Sequence, residues 1–185
     1  MMPRASRRER LQTVRRMMRN YDRMMFEFFR LPHLSRAELL GSVEVVGREH
    51  VEQAVARGRG VILTSCHVGN WELAGRLLAL RSARPTHVVV AEEEVRALKR
   101  WVRRDGDGVR FVPRSAPTVS LQLVAALRRG EVVAVQGDRA LGTRGDALVP
   151  FFGRPAPFPL GPFILARALR VPLVPAFCML DPDRR

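Results

Sequence analysis

The chain has 185 residues, 46% of them hydrophobic, so it is long enough to bury a core and is not a disordered tail. Its net charge is +14, nearly all from arginine, because Lys99 is the only lysine; such a surface calls for an anionic partner such as nucleic acid, anionic lipid or a phosphorylated substrate. The two cysteines, Cys66 and Cys178, sit apart in apolar runs, which argues against a disulfide framework or a zinc site, and no run approaches the ~18–20 apolar residues of a membrane span.

The first unit is basic. Met17, Met18, Tyr21, Met24, Met25, Phe28 and Phe29 recur at three- and four-residue steps, a helical stripe over residues 4–30, with Arg15, Arg16, Arg19 and Arg23 on the other face. Residues 1–32 therefore read as a basic amphipathic helix. It either packs on its own domain or lies on anionic lipid. The basic start is not followed by the apolar stretch of a signal peptide. The second unit, 33–185, opens with a β-branched run, Val43–Val46, taken as a first strand. A helix over Arg48–Arg57 follows, closed by Gly58.

Strands and helices then alternate. Strands are expected at Val61–Cys66, His87–Ala91, Val109–Val112, Val132–Gln136, Leu148–Phe152 and Val171–Phe177. Helices are expected at Asn70 to about Arg81, with Asn70 as N-cap, and at Glu92–Arg104, Thr118–Arg129 and Pro162–Leu169. This order predicts an α/β fold with a largely parallel sheet flanked by helices. The chain stops soon after its last expected strand, so the 33–185 domain is expected to be truncated at its C-terminus.

Ligands of such sheets gather at the carboxyl ends of strands. His67 stands at one of these ends, in Ser65-Cys66-His67-Val68-Gly69-Asn70-Trp71-Glu72. An imidazole there can take a proton from a hydroxyl and return it. Glu72, opening the next helix, can orient the ring, or can simply offset the helix dipole while His67 is a satisfied turn residue. Asp138 ends a second buried strand and rivals Glu72 for the orienting role. Arg139 beside it can hold a phosphate or oxyanion, or form a surface ion pair. Phe151-Phe152-Gly153-Arg154-Pro155-Ala156-Pro157 reads as a rigid apolar loop. It can line an acyl groove with Arg154 on an anionic head group, or pack on the core. Cys66 beside His67 is a poor candidate nucleophile, because adjacent strand residues point to opposite faces.

Three blocks in order carry a resemblance: His67-x-x-x-x-Glu72 with Asn70 and Trp71 inside it, Gly137-Asp138-Arg139, and Phe151–Ala156 followed by Pro159-Leu160-Gly161-Pro162. They resemble the bacterial lipid A biosynthesis lauroyl/myristoyl acyltransferase family, which includes phosphatidylinositol mannoside acyltransferases. The resemblance runs from about Tyr21 to Phe177. It implies a glycerolipid-acyltransferase-like α/β fold and transfer of a fatty acyl chain from a thioester, on acyl carrier protein or coenzyme A, to a hydroxyl of a membrane glycolipid. His67 would be the general base, with Glu72 and Asp138 completing the catalytic group. Arg139, Arg154, Asn70 and Trp71 would bind substrate. No metal, cofactor or covalent acyl-enzyme is implied. The expected setting is peripheral, on the cytoplasmic face of a bacterial inner membrane. Family members usually begin with a hydrophobic anchor and continue past this chain's end. Two other readings stay open: a basic nucleic-acid-binding module, which lacks any recognisable binding motif, and an acyltransferase-like domain that binds lipid without turning it over.

Overall fold

A computed structural model describes residues 5–81, 84–91, 108–142 and 145–179. The side chains of Glu72 and Ala79 lie outside that description, as do the helix expected over Glu92–Arg104 and the last six residues.

A parallel sheet of five strands forms the centre, in the order β3-β2-β4-β1-β7. The strands are β1 (Val61–Ser65), β2 (Thr86–Val90), β3 (Val109–Pro113), β4 (Val132–Gln136) and β7 (Leu173–Pro175). Their apolar, β-branched sequences are those of strands covered on both faces. Alternation along β1 shows how the covering works. Ile62 points into one cluster with Leu123, Ala126, Leu127, Val133 and Val171. Its neighbours Val61 and Leu63 point into another with Ala54, Val132, Val51, Val55 and Leu78. Helices α3 (Arg48–Ala56) and α4 (Trp71–Arg81) therefore cover one face. Helices α5 (Val119–Arg128) and α6 (Gly161–Leu169) cover the other.

The path of the chain places the site. From β1 the chain crosses through α4 to β2, on one side. From β4 it crosses through α6 to β7, on the other side of β1. Neighbouring strands whose connections leave in opposite directions leave a crevice at their carboxyl ends. Here those strands are β1 and β4, paired from Val61↔Val132 to Ser65↔Gln136.

Three departures from the sequence expectations have physical causes. Val43–Val46 joins no sheet among the described residues; Val45 and Val46 are exposed, and the run is a connector ending at Gly47. β-branched residues favour a strand only when there is a surface to pack on. A short helix, α2 (Arg36–Gly41), precedes it, unforeseen although Ser35 and Glu38 form a capping box readable as Ser-x-x-Glu. The expected loop after Phe151 is instead the second arm of a hairpin. β5 (Asp146–Phe151) and β6 (Arg154–Pro159) pair antiparallel through a turn at Phe152-Gly153.

The N-terminal helix α1 (Arg7–Arg30) begins with a second capping box, Ser6 with Glu9. None of its residues is buried. Met24, Met25, Glu27 and Phe28 are half-covered near its end, whereas Leu11, Val14, Met17, Met18 and Tyr21 are exposed. The apolar stripe is therefore not packed into the domain core. Among the described residues no helix is long and apolar enough to cross a membrane.

Candidate active site

Past the end of β1 the ladder continues for one more bond, Gly137 N–H to the Ser65 carbonyl at 2.8 Å. Two residues beyond the last strand pair, His67 and Asp138 face each other. The Asp138 carboxylate accepts twice: Oδ2 from the His67 backbone N–H at 2.9 Å, and Oδ1 from the ring Nδ1 at 2.8 Å. A carboxylate has no proton to give, so Nδ1 is the protonated nitrogen and Nε2 is the one left basic. Both side chains are partly open to solvent, 20% for His67 and 28% for Asp138. Burial pushes the Asp138 carboxyl upward, but the backbone N–H, ring and charge of His67 together outweigh it and hold the group below the usual range. Asp138 is thus the ionised member of a hydrogen-bonded His–Asp pair. Asp138, one of the two carboxylates weighed from the sequence, is bonded to His67. Glu72 lies in the first turn of α4, and its side chain is outside the described set.

The turn between β1 and α4 holds the ring in place. Gly69 has φ +63, and a Cβ there would collide with the Cys178 carbonyl oxygen, so no other residue fits without moving the backbone. Asn70 is buried at 5% exposure. Its N–H donates to the Cys178 carbonyl at 3.0 Å, and its side-chain oxygen caps α4 by accepting the Leu73 N–H at 3.0 Å. Its amide nitrogen donates to Glu27 of α1 at 2.9 Å. Both ends of the carboxamide are engaged within the protein. Trp71 packs edge-on against the His67 ring, centroids 5.2 Å apart.

Burial first, then the charge of Asp138, raise the Cys66 thiol above its ordinary value. That disfavours the thiolate a nucleophile needs. Arg139 is exposed beside Asp138, and Arg154 is exposed at the start of β6. The hairpin around Arg154 is itself largely open, not packed on the core. Among the described residues no group of three His, Cys, Asp or Glu side chains is arranged to hold a metal.

Two residues near the site were not singled out from the sequence. Glu27 ties α1 to the Asn70 cap; an acid among the many arginines of a basic helix is a weak signal, and the contact spans 43 residues. Gln136 closes β4, and its side-chain nitrogen is buried without a hydrogen-bond partner among the described residues. A polar residue ending an apolar strand was the available sign.

A hydrogen-bonded His–Asp pair, partly open to solvent, stands at the switch point of a parallel α/β sheet, an arrangement that can chemically take up and return a proton. The sequence is more specific: all of it, residues 1–185, matches the model of the bacterial lipid A biosynthesis acyltransferases, and the chain belongs to that family. It is 32% identical over 168 residues to a phosphatidylinositol mannoside acyltransferase of Mycobacterium tuberculosis (strain ATCC 25618 / H37Rv), an alignment covering 88% of this chain and 52% of the relative. A phosphatidylinositol mannoside acyltransferase of Mycolicibacterium smegmatis is 29% identical over 174 residues, covering 92% and 57%. A lipid A biosynthesis lauroyltransferase of Escherichia coli (strain K12) is 29% identical over 142 residues, covering 76% and 45%. The chain spans about half the length of these curated relatives.

Proposed function

We propose that the protein transfers a fatty acyl chain from a thioester to a hydroxyl of a membrane glycolipid, with His67 as general base and Asp138 as its orienting partner. The observation that carries this reading is the 2.8 Å bond between His67 Nδ1 and Asp138 at the β1–β4 edge, in a chain of an acyltransferase family. Nε2 takes the proton of the acceptor hydroxyl as its oxygen attacks the thioester carbonyl. The tetrahedral intermediate then expels the thiolate as the C–S bond breaks, and His67 returns the proton to sulfur. The imidazolium formed in between is stabilised by the Asp138 carboxylate. No protein nucleophile is required, which agrees with the raised Cys66 thiol.

The remaining roles follow from charge and place. Trp71 restricts the imidazole and offers an apolar surface to the acyl chain. Glu72 supports the same turn, and Asn70 holds it through the α4 cap. Arg139 and Arg154 meet anionic groups of the lipid. The donor is an acyl carrier protein or coenzyme A thioester, and the acceptor an anionic lipid such as a lipid A precursor or a phosphoinositide-based glycolipid. The exposed basic α1 rests on an anionic bilayer, which puts the protein at the cytoplasmic face of a bacterial inner membrane as a peripheral enzyme.

The test is acyl transfer from a thioester pool to total bacterial lipid, followed as thiol release and as the mass of the acylated product. His67→Ala is expected to slow transfer at least about a hundredfold while the protein stays folded. A folded variant that retains parental activity would refute the mechanism.

A further inference from the structure

The β5–β6 hairpin shows solvent an apolar tip. Phe152 is 90% exposed and Leu148 72%, and Val149 and Phe151 are also exposed. The backbone makes this display costly. Phe152 has φ +50 and Gly153 φ +75. Two successive positive φ values define a primed two-residue turn, whose first position favours Asn, Asp or Gly and penalises a bulky side chain. A turn that merely reversed the chain would carry Asn-Gly. Here a phenylalanine is held against the backbone preference, its ring edge-on to Phe151 at 4.5 Å, and Phe151 meets Phe158 at 5.4 Å.

The strand register limits what can cover this tip. Pro150 faces Pro155, Leu148 faces Pro157 and Asp146 faces Pro159. Proline has no N–H, so the ladder bonds belong to the alternate pairs Ala147–Phe158, Val149–Ala156 and Phe151–Arg154. The prolines stand where an N–H would point outward. The outer edge of β6 therefore offers no donor at 155, 157 or 159, and β5 offers none at 150. A strand from another protein chain cannot extend such an edge. Lipid is the occupant the β6 edge suits, because an outward N–H is costly only where no water reaches it, and β6 has no outward donors at 155, 157 or 159. Charge agrees: Arg154 follows the tip and is exposed, on a chain of net charge +14. An aromatic pair beside a guanidinium is the side-chain set of a bilayer interface.

We infer that the β5–β6 hairpin is a membrane wedge that seats Phe151 and Phe152 in the upper acyl layer of an anionic bilayer, with Arg154 at the lipid phosphates. The inference rests on the lipid-acceptor reading above and adds the element that sets the depth of docking. Its root is firm. The Asp146 carboxylate accepts the N–H groups of Leu141 and Gly142, each at 2.8 Å, and Leu160 N–H donates to the Gly145 carbonyl at 2.8 Å. The loop so gripped is the one that leaves Asp138. A seated tip fixes the His67–Asp138 pair at a set height over the lipid surface.

Two variants test the wedge on vesicles of phosphatidylglycerol and phosphatidylcholine, made with and without brominated acyl chains. In Phe152→Trp, the introduced indole is expected to shift to the blue over the background of Trp71 and Trp101, and to be quenched by bromine near the head of the acyl chain. Phe152→Asn relieves the left-handed turn, so it should melt no lower than the parent. It should nevertheless bind the vesicles about tenfold more weakly or worse, the factor that burying one phenylalanine side chain can supply. An indole at 152 that stays unquenched on protein-bearing vesicles would overturn the inference. So would a blue shift that grows with protein concentration without vesicles, since a second copy would then cover the tip. An active His67→Ala protein would refute the acyl-transfer mechanism without altering either vesicle readout.

Discussion

Replacing Asp138 with asparagine tests the site in a way that deleting it does not. The parent carboxylate accepts two hydrogen bonds from one residue, the His67 backbone N–H and ring Nδ1–H. Asparagine has one accepting oxygen and one donating nitrogen, so it cannot serve both. If its oxygen keeps the backbone N–H, its NH₂ donates to Nδ1, and the imidazole is driven to the tautomer with the proton on Nε2. The base is then blocked. If its oxygen keeps Nδ1–H, two donors face each other at the backbone. Either arrangement also loses the charge that stabilises the imidazolium. A hydrogen bond to a charged group contributes about 1.5–3 kcal/mol, or roughly ten- to a hundredfold in rate, and blocking the base adds to that. Asp138→Asn is therefore expected to lower kcat by about 10²–10⁴ with KM little changed. Asp138→Ala leaves Nδ1 free to take either tautomer, so it should be no worse than Asp138→Asn despite the larger deletion. Steady-state thiol release at neutral pH, with circular dichroism to confirm folding, reads both variants. An Asp138→Asn enzyme within a few-fold of the parent, or clearly faster than Asp138→Ala, would show that the carboxylate does not set the tautomer.

Two further outcomes concern stability. Glu131 is buried between Arg129, which donates to both its oxygens at 2.9 and 2.7 Å, and His87, whose Nε2 lies 2.7 Å away. Arg129 foremost, against the cost of burial and with help from His87, lowers its carboxyl to about 2. A lowered carboxylate stabilises the fold above its unfolded value, and that contribution fades as pH falls from about 4.5 toward 2. Glu131→Gln should cost about 1–3 kcal/mol in urea unfolding at pH 7 and flatten the decline below pH 4.5; an unchanged decline would assign it to other acids. Gly69→Ala should lower the melting temperature, with a cost of about 1–3 kcal/mol or more, and should lose activity with it, because the new methyl meets the Cys178 carbonyl. A fully active, equally stable Gly69→Ala protein would show that the turn tolerates movement.

Much of this molecule was legible from local pattern. Apolar runs bounded by glycine located β1, β4 and α5, because strands covered on both faces must be apolar throughout. The rule that parallel strands share one open edge brought Asp138 within reach of His67. Other features depend on distant partners. Val43–Val46 has strand composition but pairs with no strand among the described residues. Phe151–Pro157 has proline enough to look like a loop, yet its prolines fall at every second position of β6, where the ladder does not need them. That Asp138 meets His67 depends on the β1–β4 register, which no single segment contains. The exposure of α1 was one of two open readings, since an amphipathic stripe looks the same whether it meets protein or lipid.

The pairing of β1 with β4 has a consequence for when the chemistry can exist. Val61 and Val132 are separated in sequence by the same interval as His67 and Asp138, and the ladder between them enforces it. The dyad is an extrapolation of that ladder by two rungs. Slippage by a single rung would turn one partner to the opposite face of the sheet. Because β4 and β1 are interior strands, flanked by β2 and β7, fraying of the outer strands leaves this alignment standing. If the pair acts as proposed, activity would report that the two middle strands have zipped in register. A nascent or partly melted chain, whatever else it has formed, carries a His67 and an Asp138 that have not yet met.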